Sequence, residues 1–356
     1  MIRILKFILF ALVSLLMGVG VISLPMAFVQ GGEATERVRT ARRGGSAGRS
    51  LAKRRSWHVQ TSAGFPNLVD LDPVLAEVFY QKYRQITPML IGPVFGLRSS
   101  SKAKETSLRI GSFGNPQPWE GQVHYDTAAP DYEIEWSHGH LTLGFKADKT
   151  LLEDNQLSGV FDSAANLGQS FNRKVVSDEA AVFNNAFATV LGYDGKVLCA
   201  DDHPRSKSDA TAVDNYLGTK ALTEANLEEA IVQLAGLGDD RGEQTVAIAT
   251  HLVVGRANAM TAMKLTGSTL EPETGNNAIN THTGLTPLVH PLITGKKWFV
   301  VDAPMAQQMM LWYWRIAAEF DSDDDKGKTL VRSWYGRMRY SKGWQDFRWV
   351  VGSNPS

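Results

Sequence analysis

Residues 119–136 read W-E-G-Q-V-H-Y-D-T-A-A-P-D-Y-E-I-E-W, and this stretch decides the fold of the chain. Large apolar residues alternate with polar ones in two runs, Trp119 to Val123 and Tyr132 to Trp136. A period of two is typical of β-strands. Residues 106–146 are therefore predicted to form one long β-hairpin with its turn near residues 128–131.

A two-stranded ribbon with large apolar side chains is only marginally stable alone, so this hairpin needs a partner surface. Nothing requires that surface to lie in the same chain, and an exposed apolar patch marks an interface. Repeated head-to-tail contacts of this kind close into rings. We expect an assembly interface formed by Trp119, Tyr125, Tyr132 and Trp136.

The apolar period becomes helical after the hairpin, which predicts one helix over residues 152–190 that Gly159 and Gly168 bend. Its length would be on the order of 55 Å at the helical rise per residue. Thr223 followed by Glu224 predicts the start of another helix. Strands are predicted at residues 245–250, 297–302, 309–317, 330–340 and 347–351. The mixture of helices with a largely antiparallel sheet indicates an α+β fold.

The composition limits the classes of function. The chain has 356 residues, and its 37 Lys and Arg residues balance 37 Asp and Glu residues, so the whole protein is not a polycation that coats nucleic acid. Cys199 is the only cysteine, which excludes an intramolecular disulfide and any multi-cysteine zinc site.

The N-terminal part has two distinct compositions. Residues 1–25 are a basic start followed by an apolar run, which is typical of a signal or membrane segment, an over-extended gene start or a removable helical piece. Residues 26–64 are rich in Gly, Ser, Ala and Arg, and are predicted to be a flexible basic arm. That arm is either a solvated linker or a contact to phosphate groups or a neighbouring subunit.

No catalytic, cofactor-binding or metal-binding site is predicted. Cys199 and His203 bracket two aspartates, but His203-Pro204 makes a turn equally natural. His138 and His140 would share one face of a strand, yet no further metal ligand can be identified. Gly327-Lys328-Thr329 lacks the upstream glycine of a phosphate-binding loop. Basic and aromatic residues interleave over residues 332–349, where we favour buried aromatics with arginines outside over a nucleic-acid surface.

The order of elements resembles the Hong Kong 97-type capsid fold, and several short motifs look like the Mu-like major head subunit family. The motifs run in order through the chain: Trp119-Glu120-Gly121, Tyr132-Glu133-Ile134-Glu135-Trp136, Leu152-Glu153-Asp154-Asn155-Gln156-Leu157, Asn184-Asn185-Ala186-Phe187, His203-Pro204 and Leu252-Val253-Val254. The resemblance covers residues 65–352, whereas an apolar N-terminal segment is a departure from the family pattern.

The resemblance implies a division of the chain that begins with the apolar segment and the N-terminal arm. The parts that follow are the N-terminal part of the capsid domain (65–105), the extended hairpin loop (106–146), the spine helix with the peripheral domain (147–214), the axial domain (215–303) and C-terminal strands that return to the sheets (304–356).

The resemblance also implies a function without catalysis or cofactors. The chain would be a major capsid protein of a bacteriophage or prophage that assembles with itself, as pentamers and hexamers, into an icosahedral virion shell around double-stranded DNA. Portal and scaffold or protease proteins would be further partners, and assembly would take place in the host bacterial cytoplasm. The alternative is a membrane-anchored or exported binding protein that uses the aromatic hairpin as its ligand surface.

Some capsids of this fold join a loop lysine to an asparagine of a neighbour. Between Glu105 and Phe145 this chain has no lysine, and the nearest are Lys102, Lys104 and Lys146. A covalent network through the hairpin tip is therefore not expected.

Overall fold

The computed structural model describes residues 71–128, 130–154, 157–188, 190–268, 280–324 and 331–356. Residues 1–70 lie outside these ranges, so the apolar segment and the basic arm stay predictions. The α-helices in the described ranges are α1 (Leu71–Tyr83), α2 (Lys149–Glu153), α3 (Ser158–Asn184), α4 (Glu224–Ala235), α5 (Ala259–Gly267) and α6 (Ala303–Met309). The strands are β1 (Gly96–Ser99), β2 (Lys104–Ile110), β3 (Pro130–Ser137), β4 (Gly139–Asp148), β5 (His203–Pro204), β6 (Ala212–Val213), β7 (His251–Gly255), β8 (Thr286–His290), β9 (Trp298–Val301), β10 (Met310–Asp324), β11 (Val331–Trp344) and β12 (Val350–Ser353).

One four-stranded sheet has the order β1-β10-β11-β4. Buried side chains alternate along β11, including Trp334, Met338 and Tyr340, and they share a core with α3. A Cβ at Gly336 would lie 2.8 Å from the ring of Phe171, so this position lets the helix approach the sheet closely. The alternation of apolar and polar residues along β11 thus reflects one buried face of this sheet.

Helix α3 has 27 residues and is shorter at both ends than the predicted helix. It spans about 40 Å at the usual rise per residue. A Cβ at Gly168 would overlap the carbonyl oxygen of Phe79 in α1, so Gly168 allows the two helices to cross. At Gly159 a Cβ would meet open space.

A second four-stranded sheet has the order β12-β9-β7-β8, and α4 and α5 share its core. The Thr223 side chain accepts a hydrogen bond from the backbone N–H of Asn226, as the predicted helix start requires. The predicted strand at residues 245–250 is wrong, because the ladder begins at His251. The backbone N–H of Ile248 instead donates to the Asp302 carboxylate at 2.8 Å, while the side chain of Val246 is exposed.

The predicted hairpin over residues 106–146 is also wrong in its pairing. β2 pairs with β3, and β4 leaves the ribbon to pair with β11. Residues 111–128 connect β2 to β3, so the turn is far longer than the predicted one near residues 128–131. The break between β3 and β4 falls at His138.

Candidate assembly surface

Strands β2 and β3 form a two-stranded ribbon that is separate from both larger sheets. At the base of the ribbon the indole of Trp136 is buried, with its ring centroid 5.4 Å from that of Tyr313. A Cβ at Gly343 would lie 2.8 Å from the Trp136 ring, so the glycine leaves room for the indole. The base is therefore packed onto the four-stranded sheet.

A cluster of charged and polar groups holds the other end of the ribbon. The Arg109 guanidinium lies 2.7 Å from the Asp346 carboxylate and 3.5 Å from that of Asp131, and it donates to the Tyr193 hydroxyl at 3.1 Å. Both carboxylates are buried, and a buried charge is costly unless it is paired. Burial, and next the charge of Asp346, raises the pKa of Tyr193 well above its usual value, so the hydroxyl stays protonated.

The tip of the loop, residues 111–128, has no strand although all of its residues are described. Pro116 and Pro118 lack the backbone N–H that a ladder needs, and Gly121 has a φ of +95°. These residues explain why the alternating run from Trp119 to Val123 does not become a strand. The period-two pattern is present, but no partner strand lies beside it.

Six large apolar side chains on the ribbon end and the tip are exposed to solvent. We call this set the loop patch: Leu108, Ile110, Phe113, Trp119, Val123 and Tyr125. Trp119 is 72 % exposed and Tyr125 is 89 % exposed. Large apolar side chains that stay exposed along one segment, residues 108–125, indicate an interaction surface.

The four aromatic residues predicted as an interface do not share one surface. Trp119 and Tyr125 belong to the loop patch, but Trp136 is only 4 % exposed and packs within its own chain. Tyr132 is partly buried, and its ring lies 5.2 Å from that of Tyr193. The expectation that these two residues are exposed is corrected: strand alternation turns them toward the protein.

Sequence reasoning missed four members of the loop patch, Leu108, Ile110, Phe113 and Val123. Leu108 and Ile110 alternate at the end of β2, so a strand prediction would have placed them on one face. Both side chains are exposed in the part of the chain that the structure describes, which no local pattern indicates. Phe113 lies between Gly111 and Gly114, in a segment without a period.

The suspected reactive cluster does not assemble as a catalytic site. Cys199 is buried, and burial raises the pKa of its thiol, which disfavours a nucleophilic thiolate. Nδ1 of His203 lies 2.6 Å from the Asp194 carboxylate, and the imidazole stacks on Phe347. His203 therefore has a structural environment beside the C-terminal segment.

The two histidines considered as metal ligands point to different environments. His138 is buried between the hydroxyls of Ser341 and Ser100, at 2.9 Å and 3.0 Å, whereas His140 is exposed. Within the described ranges no group of three or more His, Cys, Asp or Glu side chains could hold a metal ion. Gly327-Lys328-Thr329 lies outside the described residues.

The aromatic residues of the basic stretch 332–349 lie in the core, as predicted: Trp334, Tyr340, Trp344 and Trp349 are buried. The arginines are not all outside. Arg332 is buried against Asp72 at 2.6 Å and Arg348 is buried against Asp346 at 3.0 Å, so these two serve packing and pairing within the chain.

The sequence model of a family described as phage capsid protein matches residues 143–353, which is more than half of the chain. The chain belongs to the phage capsid protein family. The match covers the long helix α3, strands β5 to β12 and most of β4. The predicted capsid function and the predicted α+β capsid fold are confirmed. A search of curated proteins found no match.

Several solved capsids are similar in structure to this capsid protein. A virus-like particle from Pyrococcus furiosus has 10 % identity and a TM-score of 0.46 over 80 % of this chain and 99 % of that one. The procapsid of bacteriophage JBD30 has 16 % sequence identity and a TM-score of 0.43, and the alignment covers 81 % of this chain and 76 % of the procapsid chain. The capsid of cyanophage P-SCSP1u has 9 % sequence identity and a TM-score of 0.49, and the alignment covers 75 % of this chain and 88 % of the cyanophage chain. The assignment to the family rests on the sequence match.

The alternative of a membrane-anchored binding protein rested on residues 7–24 and on the aromatic hairpin. The first lies outside the described residues, and within the described ranges no helix is long and apolar enough to cross a membrane. The second, the aromatic hairpin, lies mostly outside residues 143–353, which the family model matches.

Proposed function

We propose that the chain is the major capsid protein of a tailed bacteriophage or prophage and assembles as pentamers and hexamers into a closed icosahedral shell. The observation that carries this proposal, beside the family, is the loop patch. Six large apolar side chains that stay exposed on the ribbon end and the loop tip are best stabilised by burial against a neighbouring copy.

Apolar burial is the main source of cohesion in this proposal. Each Å² of apolar surface removed from water contributes about 25 cal/mol before the costs of association. The three aromatic rings at the tip, of Phe113, Trp119 and Tyr125, bring the largest areas, and aromatic side chains at the centre of an interface often dominate its energy. The axial domain (residues 215–303) would gather at the symmetry axes.

The finer assignments rest on the sequence resemblance alone. The subfamily would be the Mu-like major head subunits, the packaged molecule double-stranded DNA, and the other partners portal and scaffold or protease proteins. The basic arm, residues 26–64, would contact DNA phosphates through nonspecific charge. Assembly would occur in the host cytoplasm and the mature protein would reside in the virion.

The first prediction tests the loop patch with the double variant Trp119→Ala with Tyr125→Ala in the full chain. We expect folded subunits that fail to form particles at concentrations where the parent protein forms them. Sedimentation and negative-stain electron microscopy measure assembly, while circular dichroism verifies the fold.

The matched control is Leu191→Ala, which removes an exposed apolar side chain after α3, outside both the loop and the axial domain. It should assemble like the parent protein. Particles of normal yield from the double variant would contradict the proposed role of the loop patch. A strictly monomeric parent protein would contradict the proposed function itself.

A further inference from the structure

A turn of the same chain contacts the two ends of the loop tip. The backbone N–H of Ser112 donates to the Asp240 carboxylate, at 2.9 Å and 3.1 Å from its two oxygens. Nη1 of Arg241 lies 2.8 Å from Oδ2 of Asp126, and Nη2 donates to the Thr127 carbonyl oxygen at 3.3 Å. We call Ser112, Asp126, Asp240 and Arg241 the loop clasp.

The turn that carries Asp240 and Arg241 is itself fixed. The Asp239 carboxylate accepts the backbone N–H groups of Arg241 and Glu243, both at 2.9 Å. One residue earlier, the Gly238 carbonyl oxygen accepts a hydrogen bond from the buried guanidinium of Arg348 at 2.6 Å. The clasp therefore connects the loop tip to an anchored part of the capsid protein.

Asp126 also accepts two hydrogen bonds from backbone groups inside the tip. Its Oδ2 accepts the backbone N–H of Gly114 and its Oδ1 accepts that of Thr127, both at 2.8 Å. The hydrogen bond from Gly114, followed by that from Arg241, lowers the pKa of the Asp126 carboxyl below its usual value. A single carboxylate that is charged at neutral pH thus orders the tip and binds it to the body.

Such contacts could either restrain assembly or prepare the loop for it. The exposure of the loop patch distinguishes these two roles. A contact that restrains assembly would cover the apolar side chains that a neighbour needs. The clasp instead uses backbone groups and charged side chains at the two ends of the tip, while Phe113, Trp119 and Tyr125 stay exposed.

We propose that the loop clasp is a positioning device that orders the tip and presents the loop patch to a neighbouring subunit. Ordering a loop costs conformational entropy, and a loop that is already ordered in the free subunit loses less on association. The inference rests on the proposed function of the loop patch. Because the ion pair of Arg241 with Asp126 is partly exposed, salt should weaken it.

The second prediction compares variants of the full chain that break or keep the clasp. Arg241→Ala and Asp126→Asn remove the ion pair, and Arg241→Lys keeps its charge. Arg337→Ala is the matched control, because it breaks another exposed arginine ion pair, with Glu319 on β10, outside both the loop and the axial domain.

Two measurements on each variant test the positioning role. Hydrogen–deuterium exchange of residues 111–128 in unassembled subunits reports the order of the tip, and light scattering gives the critical concentration of assembly. For Arg241→Ala and Asp126→Asn we expect faster exchange, an unchanged melting temperature and a critical concentration raised about two- to fivefold, which is the size of effect expected for an exposed pair. Arg241→Lys should recover most of the loss, and Arg337→Ala should show neither change.

Faster exchange with a lower critical concentration would identify the clasp as a restraint and overturn the proposal. Unchanged exchange at residues 111–128 would overturn it as well. Trp119→Ala, measured in parallel, separates this inference from the proposed function. If only Trp119→Ala impairs assembly, the clasp fails and the loop patch stands, whereas normal assembly of Trp119→Ala removes the loop patch itself.

Discussion

At the scale of single residues, Glu179 is the clearest example of a charge placed for structure. Its carboxylate is fully buried and accepts the backbone N–H groups of Met89, Leu90 and Ile91 at 2.9 to 3.0 Å. The imidazole of His290, also fully buried, lies 3.0 Å away. One side chain of α3 thus joins the segment after α1 to strand β8.

The third prediction concerns this group. Glu179→Gln places an amide N–H₂ among N–H donors and leaves buried groups unpaired, so the free energy of unfolding should fall by about 3–5 kcal/mol. Urea unfolding of unassembled subunits measures the change. Glu229→Gln, which removes the charge from an exposed pair with Lys220, is the control and should cost less than about 1 kcal/mol. A decrease of less than about 1 kcal/mol in the free energy of unfolding for Glu179→Gln would contradict the structural role of Glu179.

Residue-scale signals in the sequence were reliable where the partner is close in the chain. Thr223 caps α4 because the group it satisfies is three residues away. The role of Glu179 could not be predicted, because its partners near residue 90 and at His290 are distant in sequence. Trp136 was misplaced for the same reason: the sequence shows a strand residue but not the sheet that covers it.

At the scale of elements, the crossing of α1 over α3 depends on Gly168. The carbonyl oxygen of Phe79 occupies the space that a Cβ at position 168 would need. A glycine in the middle of a helix normally costs about 0.5–1 kcal/mol relative to alanine. Its presence is explained by the close approach of the two helices.

The fourth prediction uses two glycines of the same helix. Gly168→Ala should destabilise the subunit by about 1–3 kcal/mol despite its better helix propensity, because the backbone of α1 must move. Gly159→Ala, which meets open space, should be neutral or stabilising by up to about 1 kcal/mol. Thermal unfolding of both variants measures the difference, and equal effects would contradict the packing explanation.

Elements were predicted well where their periodicity is long and one face is buried. The core of α3 and both long strands, β10 and β11, follow from such patterns. The hairpin failed because β3 and β4 are consecutive in sequence but belong to different sheets, and the partner of β4 is the distant strand β11. Periodicity identifies a strand without identifying its neighbour.

At the scale of the whole molecule, the capsid protein must hold a shell together without a charge excess, since its acidic and basic residues balance. In the proposed assembly, apolar burial at the loop patch is the main source of cohesion, and charged groups add contributions that salt weakens. Lys102 and Lys104, the lysines at the loop base, pair with Glu105 and Glu135.

The fifth prediction follows from the absence of lysine between Glu105 and Phe145. Particles boiled in denaturing detergent should run as a single band at the subunit mass. A ladder of covalent oligomers, with linked peptides mapped to Lys102, Lys104 or Lys146, would show that a lysine outside the tip forms isopeptide bonds.

The central claim is that this chain builds a closed shell by placing the loop patch against a neighbouring copy. Electron cryomicroscopy of particles formed by the full-length protein tests it most directly. We expect icosahedral shells in which Trp119 and Tyr125 of each subunit are buried against the next subunit. Shells in which both side chains face solvent, or a protein that remains monomeric, would contradict it.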